Sequence, residues 1–539
     1  MTLVIDGHPF AYEMENLCRL FFPHGGIRTV REESGDGDQI YTGAERRADG
    51  ILLSVRARLG ASERGRKKLL PAGTEDRELE RCMAVELWGM LADLSGVRPA
   101  WGVVTGVRPL KLFGRIARKR GEAGAAAYFR EKLLVSPEKA ELARMTWRNQ
   151  RSLLAQARPD GFSLYVSIPF CPTRCAYCSF VSSSVEKAAR LIPGYVELLC
   201  REIRRTGEIT GGLGLKLQSV YFGGGTPSQL GARRLLRLLA AIAGHGGLLP
   251  EAEITVEANP TSVEADLLEA LRAGGFNRLS LGLQSLRDEL LTVLTRTHTA
   301  AEALAAFGLA RAAGFDNISV DLMFNLPRQR FTDWCDDLQR IIQLGPEHVS
   351  LYELSVEAGT PLAADVAAGR LLLPDEEVDA AMYEAARELL PAAGWEHYEI
   401  SNFARPGRSS AHNAVYWRNE EYRGYGPGAA SYVGRRRWTN EPRAELWRQA
   451  VTAGGAAVSE EETRSEDEER RETMYLGLRQ LTGVDVAAYT ARHGGPPEAW
   501  FGTELARLVE VGWLERTPRA WRLTADGLLW SNRVFMEFL

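Results

Sequence analysis

The sequence has few cysteines, no long apolar run and no excess of charge of either sign. Its 66 Lys and Arg nearly balance its 70 Asp and Glu, for a net charge of −4, so no global field favours nucleic acid or an anionic membrane. The longest apolar stretches are far shorter than the ~20 residues that span a bilayer, and residues 1–8 lack the basic and apolar regions of a signal peptide. We therefore expect a soluble cytoplasmic protein with no membrane span and no nucleic acid partner.

Cysteine is scarce, with seven in 539 residues, yet Cys171, Cys175 and Cys178 form a compact C-x3-C-x2-C pattern. Thiols in the cytoplasm stay reduced, which excludes a disulfide. A closed structural zinc or electron-transfer site takes four protein ligands, and no fourth Cys or His lies in this run. The pattern predicts a [4Fe–4S] cluster with one iron open to another ligand, with structural zinc or chance spacing as alternatives. The remaining cysteines are predicted to be ordinary buried thiols: Cys18, Cys82, Cys200 and Cys335.

From Phe162 onward, short apolar strands alternate with longer helical patterns. Strands are predicted at Leu164 to Ile168, Ser219 to Phe222, Ile254 to Val256, Arg278 to Leu283, Ile318 to Met323 and Val349 to Leu354. Repeated strand–helix units with right-handed crossovers predict an α/β fold, an open, partial (β/α)6 TIM-like barrel. Sites in such folds lie at the carboxyl ends of the strands, where the cysteine loop and several polar side chains converge.

The chain is predicted to contain four parts. They are an N-terminal α+β extension (1–158), the partial barrel (159–370), an aromatic-rich segment that completes the barrel or contacts substrate (371–458), and a C-terminal helical, winged-helix-like domain (459–539). The boundaries follow from the turn signal Pro159-Asp-Gly161 and from the acidic stretch between Ser459 and Glu469. Because the predicted recognition helix lacks a basic stripe, we expect the last part to pack as a lid rather than bind DNA.

With these motifs in place, the chain is identified as a member of the radical S-adenosylmethionine (SAM) superfamily. Residues 162–535 resemble the family of oxygen-independent coproporphyrinogen III oxidases and their heme-chaperone relatives. The resemblance implies that the three cysteines hold a [4Fe–4S] cluster whose fourth iron binds SAM, and that one electron cleaves SAM to a 5′-deoxyadenosyl radical. It also implies a low-potential electron donor such as flavodoxin or ferredoxin, and a porphyrin-type substrate or heme.

The resemblance also assigns contacts to SAM. The loop Gly223-Gly-Gly-Thr-Pro227 follows the second barrel strand and offers exposed amides, so Gly224, Gly225 and Thr226 are assigned to the methionine part. Six further contacts are carried over: Tyr165, Tyr177, Glu257, Gln284, Arg296 and Asp321. A structural salt bridge is the alternative for Arg296 and Asp321, and strand-end capping is the alternative for Glu257 and Gln284. No catalytic residue is assigned.

Three features bear on which branch of the family this is. The best-known oxidases have a fourth cysteine two positions after the third, where this chain has Phe180. The run His412-Asn-Ala-Val-Tyr-Trp417 matches the H-N-x-x-Y-W signature associated with heme binding in the chaperones. His412 is thus a possible axial heme ligand, with a packed, hydrogen-bonded histidine as the alternative. The long extension, with its segment Thr105-Gly-Val-Arg-Pro-Leu-Lys111, instead resembles a branch of coproporphyrinogen dehydrogenases.

The leading hypothesis from the sequence is a radical SAM oxidoreductase resembling coproporphyrinogen III dehydrogenase, which converts two propionates to vinyl groups by oxidative decarboxylation. The alternative is a heme chaperone that binds and transfers heme, and a third possibility is a radical enzyme with an unrelated substrate. A multiply anionic substrate requires local cations, for which the candidates are Arg405, Arg408, Arg435, Arg436 and Arg437. The electron donor, a second SAM, the role of the extension and the oligomeric state stay open.

Overall fold

The computed structural model describes residues 1–23, 26–31, 37–60, 62–105, 109–144, 161–212, 216–244 and 247–539, except the side chains of residues 109–111, 118, 187 and 206–212. Pro159 and Asp160 of the predicted boundary and residues 106–108 of the segment 105–111 lie outside the described residues. The chain divides into two compact units, residues 1–154 and residues 155–539.

The first unit is an α+β domain on a five-stranded sheet of order β2-β1-β3-β4-β5. Its elements are β1 (Thr2–Asp6), α1 (Ala11–Phe21), β2 (Arg28–Val30), β3 (Gln39–Arg47), β4 (Gly50–Leu59), β5 (Ser62–Leu70), α2 (Asp76–Ser95), α3 (Pro109–Lys132) and α4 (137–144). Every second residue of β4 from Ile51 to Ala57 is buried, as expected for a strand with one face on a core. That core also contains residues of α1 and α2, and Gly96, in a left-handed conformation, ends α2.

The second unit contains a twelve-stranded sheet whose centre is six parallel strands in chain order. These are β6 (Gly161–Ile168), β9 (Lys216–Gly224), β10 (Leu248–Ala258), β11 (Arg278–Gln284), β12 (Ile318–Phe324) and β13 (His348–Glu353). The helices of this part are α5 (Val185–Ala188), α6 (Ile192–Gly212), α7 (Ala232–Ala243), α8 (Ala265–Ala273), α9 (Asp288–Val293), α10 (Ala300–Ala312), α11 (Phe331–Leu344), α12 (Pro361–Ala367) and α13 (Glu376–Ala392). The order confirms the predicted α/β fold with a partial barrel.

The sheet continues beyond both edges of the six parallel strands. Strands β14 (Glu396–Glu399) and β15 (Asn402–Ala404) add next to β13 in antiparallel orientation, whereas β16 (Tyr422–Tyr425) pairs in parallel with β6. Three antiparallel strands follow β16: β17 (Ala430–Val433), β18 (Arg436–Asn440) and β19 (Val458–Thr463). Within the described residues no pairing joins β14 to β19, so the sheet does not close. The aromatic-rich segment therefore supplies strands to both edges, with α14 (Ala411–Trp417) and α15 (Ala444–Thr452) between them.

The two faces of the parallel strands differ in character. Residues such as Leu164, Val220 and Val256 face the helices and join the main hydrophobic core. The alternate positions form an inner face on which polar side chains meet across strands, since Ser163 is the pairing partner of Ser219 and Tyr165 that of Tyr221. Parallel sheets covered on both sides usually read as continuous apolar runs. The alternation here gives the barrel a polar interior.

The C-terminal part is a small, mainly helical domain with a three-stranded sheet of order β20-β22-β21. Its elements are α16 (Glu466–Gly477), β20 (Val484–Asp485), α17 (Val486–His493), α18 (Glu498–Glu510), β21 (Leu514–Arg516), β22 (Ala520–Leu523), α19 (Ala525–Leu529) and α20 (Ser531–Met536). Ser465 and Glu468 form a capping box that starts α16. No helix among the described residues is long and apolar enough to cross a bilayer.

Candidate functional site

The cysteine loop leaves the carboxyl end of β6 and is fixed by backbone hydrogen bonds. Within it, β7 (Phe170–Cys171) pairs with β8 (Ser183–Ser184), and the Cys178 amide donates to the Cys175 carbonyl over 3.2 Å. The thiols of Cys171, Cys175 and Cys178 are all partly exposed and none forms a disulfide. Burial raises the pKa of the Cys171 and Cys178 thiols. A bound metal is the kind of partner that deprotonates such thiols.

The glycine loop at the end of β9 lies directly against the cysteine loop. The Gly225 amide donates to the Ile168 carbonyl over 2.8 Å, and the Thr226 amide donates to the Phe170 carbonyl over 2.8 Å. A Cβ atom at Gly225 would lie 2.9 Å from the Cys171 Sγ atom, closer than carbon and sulfur approach without a bond. Gly224 has a φ of +109°, which favours glycine. The sequence signal for a glycine turn thus has a specific cause, the close packing of two loops.

Glu257, at the end of β10, connects the glycine loop to the barrel interior. Its Oε1 atom accepts a hydrogen bond from the Tyr221 hydroxyl over 2.8 Å, and its Oε2 atom accepts one from the Gly224 amide over 3.2 Å. Burial raises the pKa of Glu257 to about 7, with a further increase from Asp321, although the Tyr221 bond acts in the opposite direction. A cationic ligand bound beside this carboxyl group would lower its pKa and favour the ionised form.

Gln284 is the last residue of β11, Asp321 lies in the middle of β12, and Arg296 follows α9. Arg296 donates to the Gly282 carbonyl over 2.5 Å, and its Nη1 atom lies 3.5 Å from the Cys175 Sγ atom. A Cβ atom at Gly282 would lie 2.9 Å from the Gln284 amide nitrogen and 3.3 Å from an Arg296 guanidinium nitrogen. Gly282 therefore lets these two side chains meet.

In the described part of the chain, Arg296 and Asp321 do not form the structural salt bridge that the sequence offered as an alternative. Across the described residues, neither forms an ion pair with a side chain. Asp321 instead accepts hydrogen bonds from the Ser280 hydroxyl at 3.2 Å, and burial raises the pKa of Asp321. Charged groups that are buried without a charged partner are expensive. Such groups are common where a ligand supplies the missing partner.

The two predicted tyrosine contacts flank the same region. The Tyr165 ring stacks on Tyr221 with centroids 6.1 Å apart, and burial, together with the charge of Glu257, raises the pKa of Tyr165. Tyr177 packs against a small apolar cluster that contains Ala176, and burial with the nearby Cys175 raises the pKa of Tyr177. The structure thus places the sequence-assigned contacts on the barrel strands or in the connections that follow them.

The residues present fit an iron–sulfur cluster with SAM beside it. One loop offers three thiols, and the glycine loop packs directly against Cys171, with no room for a side chain at Gly225. Among the part of the chain that the structure describes, no group of three or more His, Cys, Asp or Glu side chains is arranged for a single metal ion. In a cubane, by contrast, each thiolate binds a different iron atom.

His412 lies away from the cysteine loop, in α14 on the inner face of the sheet. Its side chain is 2% exposed, its Nδ1 atom lies 2.9 Å from the Ser219 hydroxyl, and its Nε2 atom lies 2.9 Å from the Tyr416 hydroxyl. The ring stacks on Tyr221 with centroids 5.0 Å apart. Burial lowers the pKa of His412 to about 3, so the imidazole is neutral. Both of its ring nitrogens are already hydrogen-bonded.

The arginines suggested as substrate contacts each have a protein partner. Arg405 lies over the Trp395 ring with 3.3 Å to its centroid and donates to the Ala393 carbonyl. The other four form ion pairs: Arg408 with Asp316, Arg435 with Glu466, Arg436 with Glu461, and Arg437 with Glu472. All five arginines therefore have structural or surface contacts in the protein itself.

Tyr221 is the functional residue that sequence reasoning missed. It contacts Glu257, Tyr165 and His412 at once. The signal that could have found it is the period-two pattern in β9, where Ser219 and Tyr221 alternate with Val220 and Phe222. In a sheet covered by helices, such polar alternation marks side chains that point into the barrel.

Comparison with known proteins identifies relatives on both sequence and structure. The radical SAM superfamily matches residues 165–341, and the HemN C-terminal domain matches residues 465–530. The chain is 36% identical over 380 residues to the heme chaperone HemW of Bacillus subtilis, covering 70% of this chain and 99% of that protein. It is also 36% identical over 377 residues to HemW of Lactococcus lactis, covering 70% of this chain and 97% of that protein.

The solved structure of coproporphyrinogen III oxidase (HemN) from Escherichia coli has the same fold. The TM-score is 0.61 at 24% sequence identity, and the match covers 72% of this chain and 93% of that chain. The resemblance indicated by the cysteine and glycine motifs is therefore confirmed. The chain belongs to the HemN and HemW family of the radical SAM superfamily.

Proposed function

We propose that this protein is a heme chaperone that binds a [4Fe–4S] cluster and SAM at the carboxyl ends of the barrel strands. The observation that carries the cofactor part is the packing of Gly225 against Cys171, which joins the cysteine loop to the glycine loop. The observation that carries the heme part is the extent of the match to relatives named heme chaperone HemW, which spans 99% of the Bacillus subtilis protein.

In this proposal each group of residues has a distinct task. Cys171, Cys175 and Cys178 hold three irons of the cluster, and the amides and hydroxyl of the glycine loop contact the methionine part of SAM. Glu257 and Asp321 supply buried negative charge for a ligand that carries positive charge, while Arg296 offers a cation beside Cys175. When bound, the cluster and SAM supply one-electron reductive chemistry. A low-potential donor such as flavodoxin or ferredoxin would supply the electron.

Two features favour the chaperone over the oxidase that the sequence alone placed first. Phe180 is largely exposed at the position where the best-known oxidases have a fourth cysteine. In addition, the arginines suggested for a multiply anionic substrate are engaged with protein partners. A site for such a substrate would keep cations available for its carboxylates.

Coproporphyrinogen dehydrogenase activity is the second candidate. It is favoured by the complete set of predicted SAM contacts, because a protein that only carries heme has no evident need for buried acids on the barrel strands. The two acids are Glu257, near the end of β10, and Asp321, within β12.

An anaerobic assay separates the two functions. Cluster-loaded protein is incubated with reductant, SAM and coproporphyrinogen III, with a coproporphyrinogen oxidase as positive control. The chaperone proposal predicts no decarboxylated product and stoichiometric binding of heme that can be passed to an apo-hemoprotein. Formation of protoporphyrinogen together with 5′-deoxyadenosine would overturn it in favour of the dehydrogenase. Absence of both heme binding and product would overturn both candidates.

A further inference from the structure

We propose that His412 is a positioning residue for the SAM site, acting through Tyr221 and Glu257, rather than an axial heme ligand. The inference rests on the proposed function, because it concerns the same SAM site. It gives the H-N-x-x-Y-W run a role that its sequence does not suggest, and it follows from one continuous set of contacts on the inner face of the sheet.

The contacts run from α14 to the glycine loop. The His412 ring packs face to face on Tyr221, with an interplanar angle of 24°. The Tyr221 hydroxyl then donates to Glu257, which accepts the Gly224 amide through its other oxygen. Gly224 and Glu257 are both assigned as SAM contacts. A shift of the Tyr221 ring would therefore change both the position of the carboxyl group and the conformation of the loop.

The Tyr221 ring packs with two other rings in a cluster of three, in which the centroids of Tyr165 and His412 are also only 6.4 Å apart. Tyr165 stacks on it with an interplanar angle of 17°, and His412 stacks on it at the shorter centroid distance of 5.0 Å. A hydroxyl that donates a bond in a fixed direction requires a ring that does not tilt. If the imidazole is removed, Tyr221 loses one of these two neighbouring rings and gains space to move. Aromatic packing thus converts a buried histidine into a determinant of carboxyl geometry.

His412 is itself held too firmly to reach a heme iron. Its Nδ1 and Nε2 atoms are engaged by Ser219 and Tyr416. Its backbone amide and that of Ala411 donate to the Glu253 carboxylate over 3.1 Å and 3.0 Å. If His412 bound a heme iron, one of its ring nitrogens would lose its hydrogen bond to Ser219 or Tyr416. Moving the helix to reach the iron would also break the two backbone hydrogen bonds to Glu253.

A second buried histidine has the same two types of hydrogen-bond partner and provides a control. The Nδ1 atom of His348 lies 2.8 Å from the Ser319 hydroxyl, and its Nε2 atom lies 2.8 Å from the Tyr398 hydroxyl. Burial lowers the pKa of both histidines. The two Ser–His–Tyr arrangements differ in their ring contacts, since His412 also packs against Tyr221 and Tyr165, whereas the ring contact of His348 is with Tyr398. Comparing His348→Ala with His412→Ala therefore separates the general loss of stability on removing a buried histidine from the specific loss of support for Tyr221.

The test compares four variants of the full, cluster-loaded chain: His412→Ala, His412→Phe, His348→Ala and Tyr221→Phe. Equilibrium dialysis measures the affinity for SAM, iron analysis measures cluster content, and heme titration follows the Soret band. Supporting residues around a metal site typically change affinity by about 10-fold to 100-fold. We expect His412→Ala to weaken SAM binding by about tenfold, with heme stoichiometry and Soret position unchanged.

The other three variants show which contact of His412 matters for SAM affinity. His412→Phe keeps a flat ring under Tyr221 and should restore most of the SAM affinity, although Ser219 and Tyr416 lose a partner. Tyr221→Phe removes only the bond to Glu257 and should reproduce the loss of His412→Ala. His348→Ala should leave SAM affinity unchanged. If His412→Ala does not fold, the pair His412→Phe and Tyr221→Phe still decides the matter.

The contradicting result is equally specific. If both His412 variants lose the Soret shift while SAM affinity equals that of the unchanged protein, His412 is a heme ligand and the inference fails, with the proposed function intact. If His348→Ala weakens SAM binding as much as His412→Ala does, the effect is one of general stability and the inference also fails. If the unchanged protein binds neither SAM nor heme, the proposed function fails and the inference with it.

Discussion

The rim and the floor of the partial barrel both contain buried polar side chains, but these side chains have different kinds of partner. At the rim, meaning the cysteine loop, the glycine loop and the carboxyl ends of the strands, Arg296 and Asp321 form no ion pair among the described residues. At the floor, meaning the layer of Ser163, Ser219, Glu253, Ser319, His348 and His412, the two histidines have both ring nitrogens hydrogen-bonded. The contrast is the one expected if the rim side chains bind a ligand and the floor side chains support them.

The largest effect is expected from the cysteines at the rim. Cys175→Ala removes one of three thiolates and should abolish almost all cluster incorporation, because a cubane held by two protein thiolates loses its anchorage. Iron and sulfide analysis after anaerobic reconstitution measures this. Cys335 lies in α11, outside the cysteine loop, and is partly exposed like the three cysteines of the triplet. Cys335→Ala is therefore the control and should retain the full iron content. Equal iron in both variants would show that the triplet does not bind the cluster.

Gly225→Ala tests whether the two rim loops must touch. The added Cβ would lie 2.9 Å from the Cys171 Sγ atom and from two carbonyl oxygens, and overpacking of this kind costs roughly 1–3 kcal/mol. We expect lower thermal stability and reduced cluster loading. Gly308→Ala, in α10, is the matched control because a Cβ there meets nothing within 4 Å. Unchanged cluster loading in Gly225→Ala would show that close contact between Gly225 and Cys171 is not needed for cluster binding.

Glu257 gives a prediction about pH. Burial raises its pKa in the folded protein to about 7 from an ordinary value of 4.5. Between those values the folded state binds more protons than the unfolded state, so stability falls as pH rises and levels off above the folded pKa. Glu257→Gln removes this dependence. The variant should therefore gain about 2–3 kcal/mol relative to the unchanged protein between pH 5 and pH 8.

Urea unfolding of the SAM-free protein at both pH values measures that difference. Glu269→Gln, which alters an exposed carboxyl on α8, is the control and should show no comparable change between the two pH values. A constant offset between Glu257→Gln and the unchanged protein at pH 5 and pH 8 would show that the Glu257 carboxyl group is not buried in the way the structure describes.

The smallest effect is expected at the surface arginines. The pair between Arg408 and Asp316 is exposed, with an N–O distance of 3.2 Å, and pairs of this kind contribute about 0–1 kcal/mol. Arg408→Gln and Asp316→Asn should therefore have similarly small effects on stability and none on heme affinity in a heme titration. A loss of heme affinity confined to Arg408→Gln would show that this arginine contacts the porphyrin carboxylates.

The barrel could be predicted from the sequence because its signals are local. Each of the six apolar runs that predicted a barrel strand is a strand in the structure. The cysteine triplet and the glycine loop were likewise readable, since both are short, contiguous patterns. Strand ends extend by a few residues, as in β10, where pairing with β9 continues past the apolar run.

Other elements depend on contacts distant in the sequence and could not be predicted. The run from Ser62 to Leu70 is almost wholly polar, yet it forms β5 because it pairs with β4 and because Arg66 and Lys68 reach acidic residues of α2. In the same way, the partner of His412 in β9 is 193 positions away. A motif that resembles a heme ligand in the sequence is thus placed inside the barrel by long-range packing.

The central claim is that three thiolates leave one iron of a cluster open to SAM. Mössbauer spectroscopy of anaerobically reconstituted, iron-57-labelled protein tests it most directly. The account predicts that adding SAM changes the signal of one iron in four and leaves the other three unchanged. A sample with no four-iron centre, or a four-iron centre whose spectrum is identical with and without SAM, would contradict it.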